Sequence, residues 1–241
     1  MDDIYLSGVR MKTLKPVSNK PSGVNGCCYK YKNGVIKLFN YNLTNYDKEN
    51  ILSHLNKESK IILWPESLVF KKGFFKDKLK GYYMPMAKGD NLIALRNKIL
   101  EGKKDVSFDE FLSIYYDKFL PELKKEEVLL GDVKMAHVFL SDNISLTDTD
   151  TYDIRDDYCE KIYKCNLSQV NYSIKMLFDY IISSELRFNT SKSVLSKETF
   201  LDDMIKDISK VTDSSVNSLL TLNNYKRSLT IKSQVLFNRK I

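Results

Sequence analysis

The chain has 241 residues, of which 43% are hydrophobic and 29% charged, and its formal net charge is +7. That length suits one large domain or two closely joined lobes with a real hydrophobic core. No run of about 18 apolar residues occurs, which excludes a sequence-predicted membrane-spanning helix, and the acidic opening MDDIYLSGVRMK predicts no secretory leader.

The charge is unevenly placed. Residues 1–86 hold 15 Lys/Arg against 7 Asp/Glu, and the remainder holds 23 against 24. A basic first third attracts polyanions, phosphate groups among them. No aromatic-interleaved motif accompanies the lysines, so nucleic acid is an unlikely partner on this reading. Cys27, Cys28, Cys159 and Cys165 lack both CxxC and zinc-ligand spacing. They read as idle thiols of a reducing compartment, which places the chain in the cytoplasm.

In chain order, residues 22–39 (SGVNGCCYKYKNGVIKLF) predict a β-hairpin turning at Asn33-Gly34. Residues 45–57 predict a helix with Ile51, Leu52 and Leu55 on one face. The apolar runs 61–70 and 79–86 predict two further strands. Beyond them the pattern turns helical. One helix is expected over 90–101, and a second after Ser107, which with Glu110 forms a capping-box signal, with Pro121 kinking or ending it. VFL and ISL, joined by Ser-Asp-Asn, predict a short strand pair. Helices follow over 167–185 and 196–210, then a polar tail from 211 with a last helix. The fold class expected is α+β, with a β-rich small lobe over 1–86 and a mainly helical lobe over 87–241.

Phosphoryl transfer needs a backbone loop over the phosphates, a lysine to hold them and a carboxylate to place that lysine. It also needs an acid to orient the attacking hydroxyl and another to hold a metal ion. Gly23-Val24-Asn25-Gly26 offers the loop, since glycine lets backbone N–H groups approach phosphate closely. Lys37 sits in the apolar strand VIKLF, where a lysine serves either a ligand or an exposed strand face.

VNGCCYKYKNGVIKLF resembles the glycine-rich hairpin and lysine strand of protein kinases, especially compact bacterial kinase-like proteins, with Pro21 where the first loop glycine usually stands. The resemblance implies a two-lobed fold whose cleft binds ATP, Lys37 holding the α- and β-phosphates. It implies a helix glutamate paired with that lysine, for which Glu49 is the candidate. LLGDVKMAHVFLSDNISLTDTDTY resembles the catalytic loop, strand pair and metal aspartate. Asp132 then orients the acceptor hydroxyl and takes its proton, Lys134 contacts the transferred phosphate, and Asp148 holds Mg²⁺ or Mn²⁺. His137 stands where the family has a second oxygen ligand, and Asp150 is a carboxylate able to replace it; imidazole suits Mg²⁺ poorly. GYYMPMAKGDNL resembles the fifth strand and hinge, implying adenine against the backbone near Pro85–Ala87, with Met84 and Met86 at the pocket.

Phe-Gly does not follow Asp148, and no Ala-Pro-Glu closes an activation segment. Three functions stay open on these residues: a kinase-like enzyme acting on a protein Ser/Thr hydroxyl, a pseudokinase scaffold, and a small-molecule phosphotransferase.

Overall fold

The computed structural model describes residues 4–6, 8–11, 14–17, 25–73, 76–104, 108–181, 192–204 and 206. Gly23, Pro21, Ser107, residues 205 and 207–210 of the helix expected over 196–210, and the tail from 211 lie outside them. The protein is mixed α+β and divides into two compact units. The first holds residues 1–87 together with 147–154, and the second holds 88–146 and 155–241.

The first unit is built on a seven-stranded antiparallel sheet in the order β2-β1-β6-β7-β5-β4-β3. Its strands are β1 (Ile4–Leu6), β2 (Val9–Arg10), β3 (Lys15–Pro16), β4 (Gly26–Tyr31), β5 (Gly34–Phe39), β6 (Ser67–Lys71) and β7 (Lys78–Pro85). The four longer strands fall on the expected ones, except that β6 begins at Ser67, six residues after the expected start at 61. The three short ones at the N-terminus were not legible, because two or three residues cannot display a period of two.

The β4–β5 turn also differs from expectation. Tyr31 pairs with Gly34, so the turn residues are Lys32 and Asn33, and Lys32 takes the positive φ of 50°. Gly34 is already in the strand. A Cβ there would overlap the carbonyl of Met84 and the ring of Tyr83. Glycine is thus required by close strand approach and not by the turn.

β5 is central and buried along its whole length, so alternate residues feed two cores. Ile36 and Leu38 join Ile4, Leu6, Met11 and Val69 on one face. Val35 and Phe39 join Leu43, Ile51, Tyr82 and Met84 on the other. The second face is covered by helix α1 (Asn45–Ser53). Thr44 caps it by accepting from Asp47 N–H (3.1 Å), while the Asp47 carboxylate accepts from Thr44 N–H (2.8 Å). Of the apolar trio expected on one face, Ile51 is buried but Leu52 is exposed.

At the end of α1 the ring of His54 is fully buried against Trp64, with centroids 4.9 Å apart, and neither ring nitrogen has a hydrogen-bond partner. Burial first, and then the charge of Lys57, hold its pKa down at about 4, against the pull of Asp153. A pKa below the unfolded value near 6.5 means that His54 contributes stability above that value and loses it as pH falls toward 4. The full loss is ~3 kcal/mol at 1.36 kcal/mol per pH unit. Urea melts at pH 7 and pH 4.5 check this: His54→Leu should lose at least ~1.5 kcal/mol less than the wild type on acidification. Equal losses would show that His54 does not sense acid.

The second unit is mainly helical. It contains β8 (Asp90–Asn91), α2 (Leu92–Leu100), α3 (Phe108–Ser113), α4 (Leu120–Leu123), β9 (Val128–Leu129), β10 (Val138–Leu140), β11 (Ile144–Leu146), α5 (Glu160–Ile181) and α6 (Lys192–Leu195). Pro121 neither ends nor sharply breaks the run after 108. The helix widens into a π-turn over Ile114–Phe119, where Leu120 N–H bonds Tyr115 O. The wider turn accommodates the proline ring. β10 and β11 pair as expected, with Phe139 opposite Ser145, and β8 adds a third strand on β10.

α5 begins seven residues before the expected start at 167. Its first two turns, EKIYKCN, are mostly polar and carry little apolar period. From Leu167 onward, Val170, Ile174, Leu177 and Phe178 are buried at helical spacing. No helix among the described residues is long and apolar enough to cross a membrane.

Candidate functional site

Lys37 lies at the middle of the site in the first unit. Its neighbours across the sheet are Cys28 on β4 and Tyr82 on β7. The register turns its side chain to the face covered by α1, between Val35 and Phe39. Only 5% of Lys37 is exposed, so the reading of an exposed strand lysine does not hold. An ammonium buried this deeply costs several kcal/mol unless it is paired and hydrogen-bonded.

Its partners come from a segment more than a hundred residues away. Lys37 Nζ donates to Asp148 Oδ1 and, at 2.6 Å, to Asp150 Oδ1. The Tyr82 hydroxyl donates to the same Asp150 oxygen at 3.0 Å. Asn50 on α1 donates its amide to the backbone carbonyls of Asp150 (3.1 Å) and Tyr152 (3.0 Å). These bonds attach residues 147–154 to the first unit, although the sequence reading had put them with the helical block. The backbone assists: Asp148 sits in the left-handed region (φ 68°, ψ 42°) and is followed by a 3₁₀ turn over Thr149–Thr151. An aspartate held there is a strained position of the kind that gathers at functional sites.

Two carboxylates face one ammonium, so the cluster carries an excess negative charge when all three are ionised. Burial works against the charge on Lys37, but Asp150 and Asp148 together outweigh it and hold its pKa above the ordinary lysine value. Burial first, then the charge of Asp148, push the Asp150 carboxyl up, against the opposing pull of Lys37. Burial and the same two carboxylates push the Tyr82 phenol well above its usual range, so it stays a donor. Cys28 is likewise raised by burial, which leaves it a thiol and not a thiolate. All four cysteines are free.

The other candidates in this unit are placed less tellingly. Glu49 is exposed on α1, and among the described residues the carboxylates paired with Lys37 are Asp148 and Asp150. Gly26 opens β4, where a Cβ would overlap the Leu38 carbonyl, so close strand packing already explains the glycine. Met84 is a buried core residue on the Lys37 face, and Met86 packs partly buried against the same cluster.

In the second unit the candidate catalytic residues lie between β9 and β10. Asp132 and Lys134 are exposed and form an ion pair with each other. The turn behind them is tight: His137 N–H bonds Lys134 O (2.8 Å), and His137 Nδ1 donates to the Asp132 carbonyl (2.8 Å). That bond assigns His137 a loop-closing role on its Nδ1 side. Among the described residues no group of three or more His, Cys, Asp or Glu side chains gathers as a metal cage.

α5 holds this loop through a polar stripe that the sequence reading missed. Asn166 accepts from Leu130 N–H (2.9 Å) and donates to Val128 O (2.7 Å). Gln169 donates to Leu130 O (2.7 Å), and Ser173 donates to Val133 O (3.0 Å). The signal was present as polar residues at 166, 169 and 173, spaced along one face of the helix beside its apolar stripe. A groove of about 600 Å³ opens beside the loop. Its lining includes Asp132, Lys134, Met135, Ile93, Tyr172 and Met176.

No protein-family model matches the chain, and no curated protein matches its sequence significantly.

Proposed function

We propose that the chain is an ATP-dependent phosphotransferase of the protein-kinase-like class, with a two-lobed fold, transferring the γ-phosphoryl group to a hydroxyl, protein Ser/Thr in the first instance. One observation carries the reading: a lysine buried in the middle of an antiparallel sheet is paired with Asp148, the residue expected from sequence to be the metal aspartate, 111 positions away. Ordinary cores avoid an ion cluster of this kind because its desolvation is costly. A kinase-like phosphate site calls for a lysine held in place by a carboxylate.

The residues present fit such a ligand in part. Asp148 retains 23% side-chain exposure and is the carboxylate that would hold Mg²⁺ or Mn²⁺; the excess negative charge beside Lys37 favours a divalent ion there. ATP and its ion supply the transferable phosphoryl group and the neutralisation of its charge. Lys37 offers an ammonium to phosphate oxygens from a fixed strand. Asp132, exposed on a loop held by α5, is the group to accept the acceptor's proton, and Lys134 accompanies it as a cation.

A second reading, a scaffold with weak or no turnover, is favoured by His137, whose Nδ1 is committed to the Asp132 carbonyl and which supplies no oxygen ligand. A small-molecule acceptor draws support from the groove beside Asp132, whose volume falls in the range of ligand pockets.

The test uses the purified 241-residue chain with ATP, Mg²⁺ or Mn²⁺, and a panel of protein and small-molecule hydroxyl acceptors. Calorimetric titration should give a saturable isotherm, and ADP release should exceed a protein-free blank. Binding without ADP release selects the scaffold reading. No binding at millimolar nucleotide would end the nucleotide-site reading itself.

A further inference from the structure

Two carboxylates reach the Lys37 ammonium, and the geometry divides them. Asp150 has 6% side-chain exposure against 23% for Asp148. Asp150 is also held from three directions: Lys37 on β5 and the Tyr82 hydroxyl on β7 bond its carboxylate, and Asn50 on α1 bonds its backbone carbonyl. Asp148 keeps contact with solvent, on a backbone in the left-handed region.

Helix geometry excludes Glu49 from the same task. Successive residues on an α-helix point about 100° apart. Asn50 is the residue of α1 that faces Asp150 and Tyr152. Its neighbour Glu49 therefore faces away, and it is exposed.

We propose that Asp150 is the positioning residue for Lys37, taking the task that sequence spacing assigned to Glu49, with Tyr82 and Asn50 as its clamps, and that Asp148 is thereby left to turn to a ligand. The role rests on the phosphotransfer reading, while the hold of Asp150 on Lys37 is a property of the protein without nucleotide. In this arrangement α1 fixes the lysine through an amide and a backbone carbonyl, not through an ion pair. A shift of α1 would therefore move Asp150 and the lysine with it.

The experiment is competitive amine labelling of the full chain with trinitrobenzenesulfonate, read residue by residue by mass spectrometry. Lys37 is scored against the exposed Lys30 and Lys78. In the wild type Lys37 labels slowly. Asp150→Asn should raise its rate at least fivefold with Lys30 and Lys78 unchanged, Asp150→Glu should restore most of the protection, and Tyr82→Phe should raise it two- to threefold. Glu49→Gln should leave it within twofold of wild type.

An unchanged Lys37 rate in Asp150→Asn overturns the proposal, as does a uniform rise at all three lysines, which would mean general loosening. A rise in Glu49→Gln equal to that in Asp150→Asn overturns it too. MgATP titration of the same proteins separates this outcome from the parent reading. Wild-type protein that binds no MgATP removes the phosphotransfer function, while the labelling contrast still decides what holds Lys37. If MgATP binds, Asp150→Asn should weaken it at least tenfold and Glu49→Gln less than twofold.

Discussion

Replacing Lys37 with methionine is expected to destabilise the protein by ~3–5 kcal/mol at neutral pH, the cost of leaving a buried charge without its partner. Two carboxylates would remain beside each other, one of them 6% exposed, with the Tyr82 hydroxyl as the remaining side-chain donor to Asp150. The deficit should depend on pH with a definite sign. Burial and Asp148 already raise the Asp150 carboxyl, and Lys37 is what opposes them. Without Lys37 the protonated form is favoured further. A group whose folded pKa lies above its unfolded value stabilises the fold most at low pH and loses that contribution as pH rises through the folded pKa. The difference between Lys37→Met and wild type should therefore be largest at pH 7–8 and shrink toward pH 5.

Comparison with wild type at each pH removes the separate acid loss from His54. Adding Asp150→Asn to Lys37→Met should recover at least half of the deficit, since the two residues are in direct contact and their effects do not add. Chemical melts of the three proteins at two pH values check this. A deficit under ~1 kcal/mol, or one independent of pH, would mean that the cluster is not charged as described.

Asp132→Asn should behave in the opposite way. Its carboxylate is exposed and its ion partner Lys134 is exposed too, and pairs of that kind contribute ~0–1 kcal/mol. Stability should stay within ~0.5 kcal/mol of wild type. Loss of a general base lowers a rate by roughly 10²–10⁴-fold, so ADP release coupled to transfer should fall by at least 10²-fold while MgATP affinity changes little. Turnover that survives the substitution within threefold would remove Asp132 from the chemistry. The pair of variants thus separates two roles in the proposed site: Lys37→Met is expected to cost stability and nucleotide binding together, whereas Asp132→Asn is expected to spare folding.

The two cases also show which parts of the protein its amino-acid order makes readable. Strong local signals survived: the hairpin of β4 and β5, the strand pair of β10 and β11, the helix starting at Asn45, and the apolar period of α5 from Leu167 onward. Each is decided by contacts between residues close in sequence or by a period repeated several times. Three readings lacked such a signal. The N-terminal strands are too short to show a period. The glycine at 34 was read as a turn residue because its neighbour in space, Met84, is fifty positions away. Glu49 was chosen because it was the one glutamate in its helix, and only the rotation of α1, set by packing of Ile51 and bonding of Asn50, shows that it faces outward.

Residue order by itself therefore determined an α+β chain with a basic first third and placed Lys37, Asp132 and Asp148 as the groups to watch. Only the tertiary structure decided that Lys37 is buried, that Asp148 and Asp150 both reach it, and that Asn50 and Tyr82 hold Asp150 in place. The physical reason is distance along the chain. A period or a cap is written in neighbouring residues, but the partner of a buried charge is chosen by how strands and helices stack. Here that stacking brings residues 37, 50, 82 and 150 to one point.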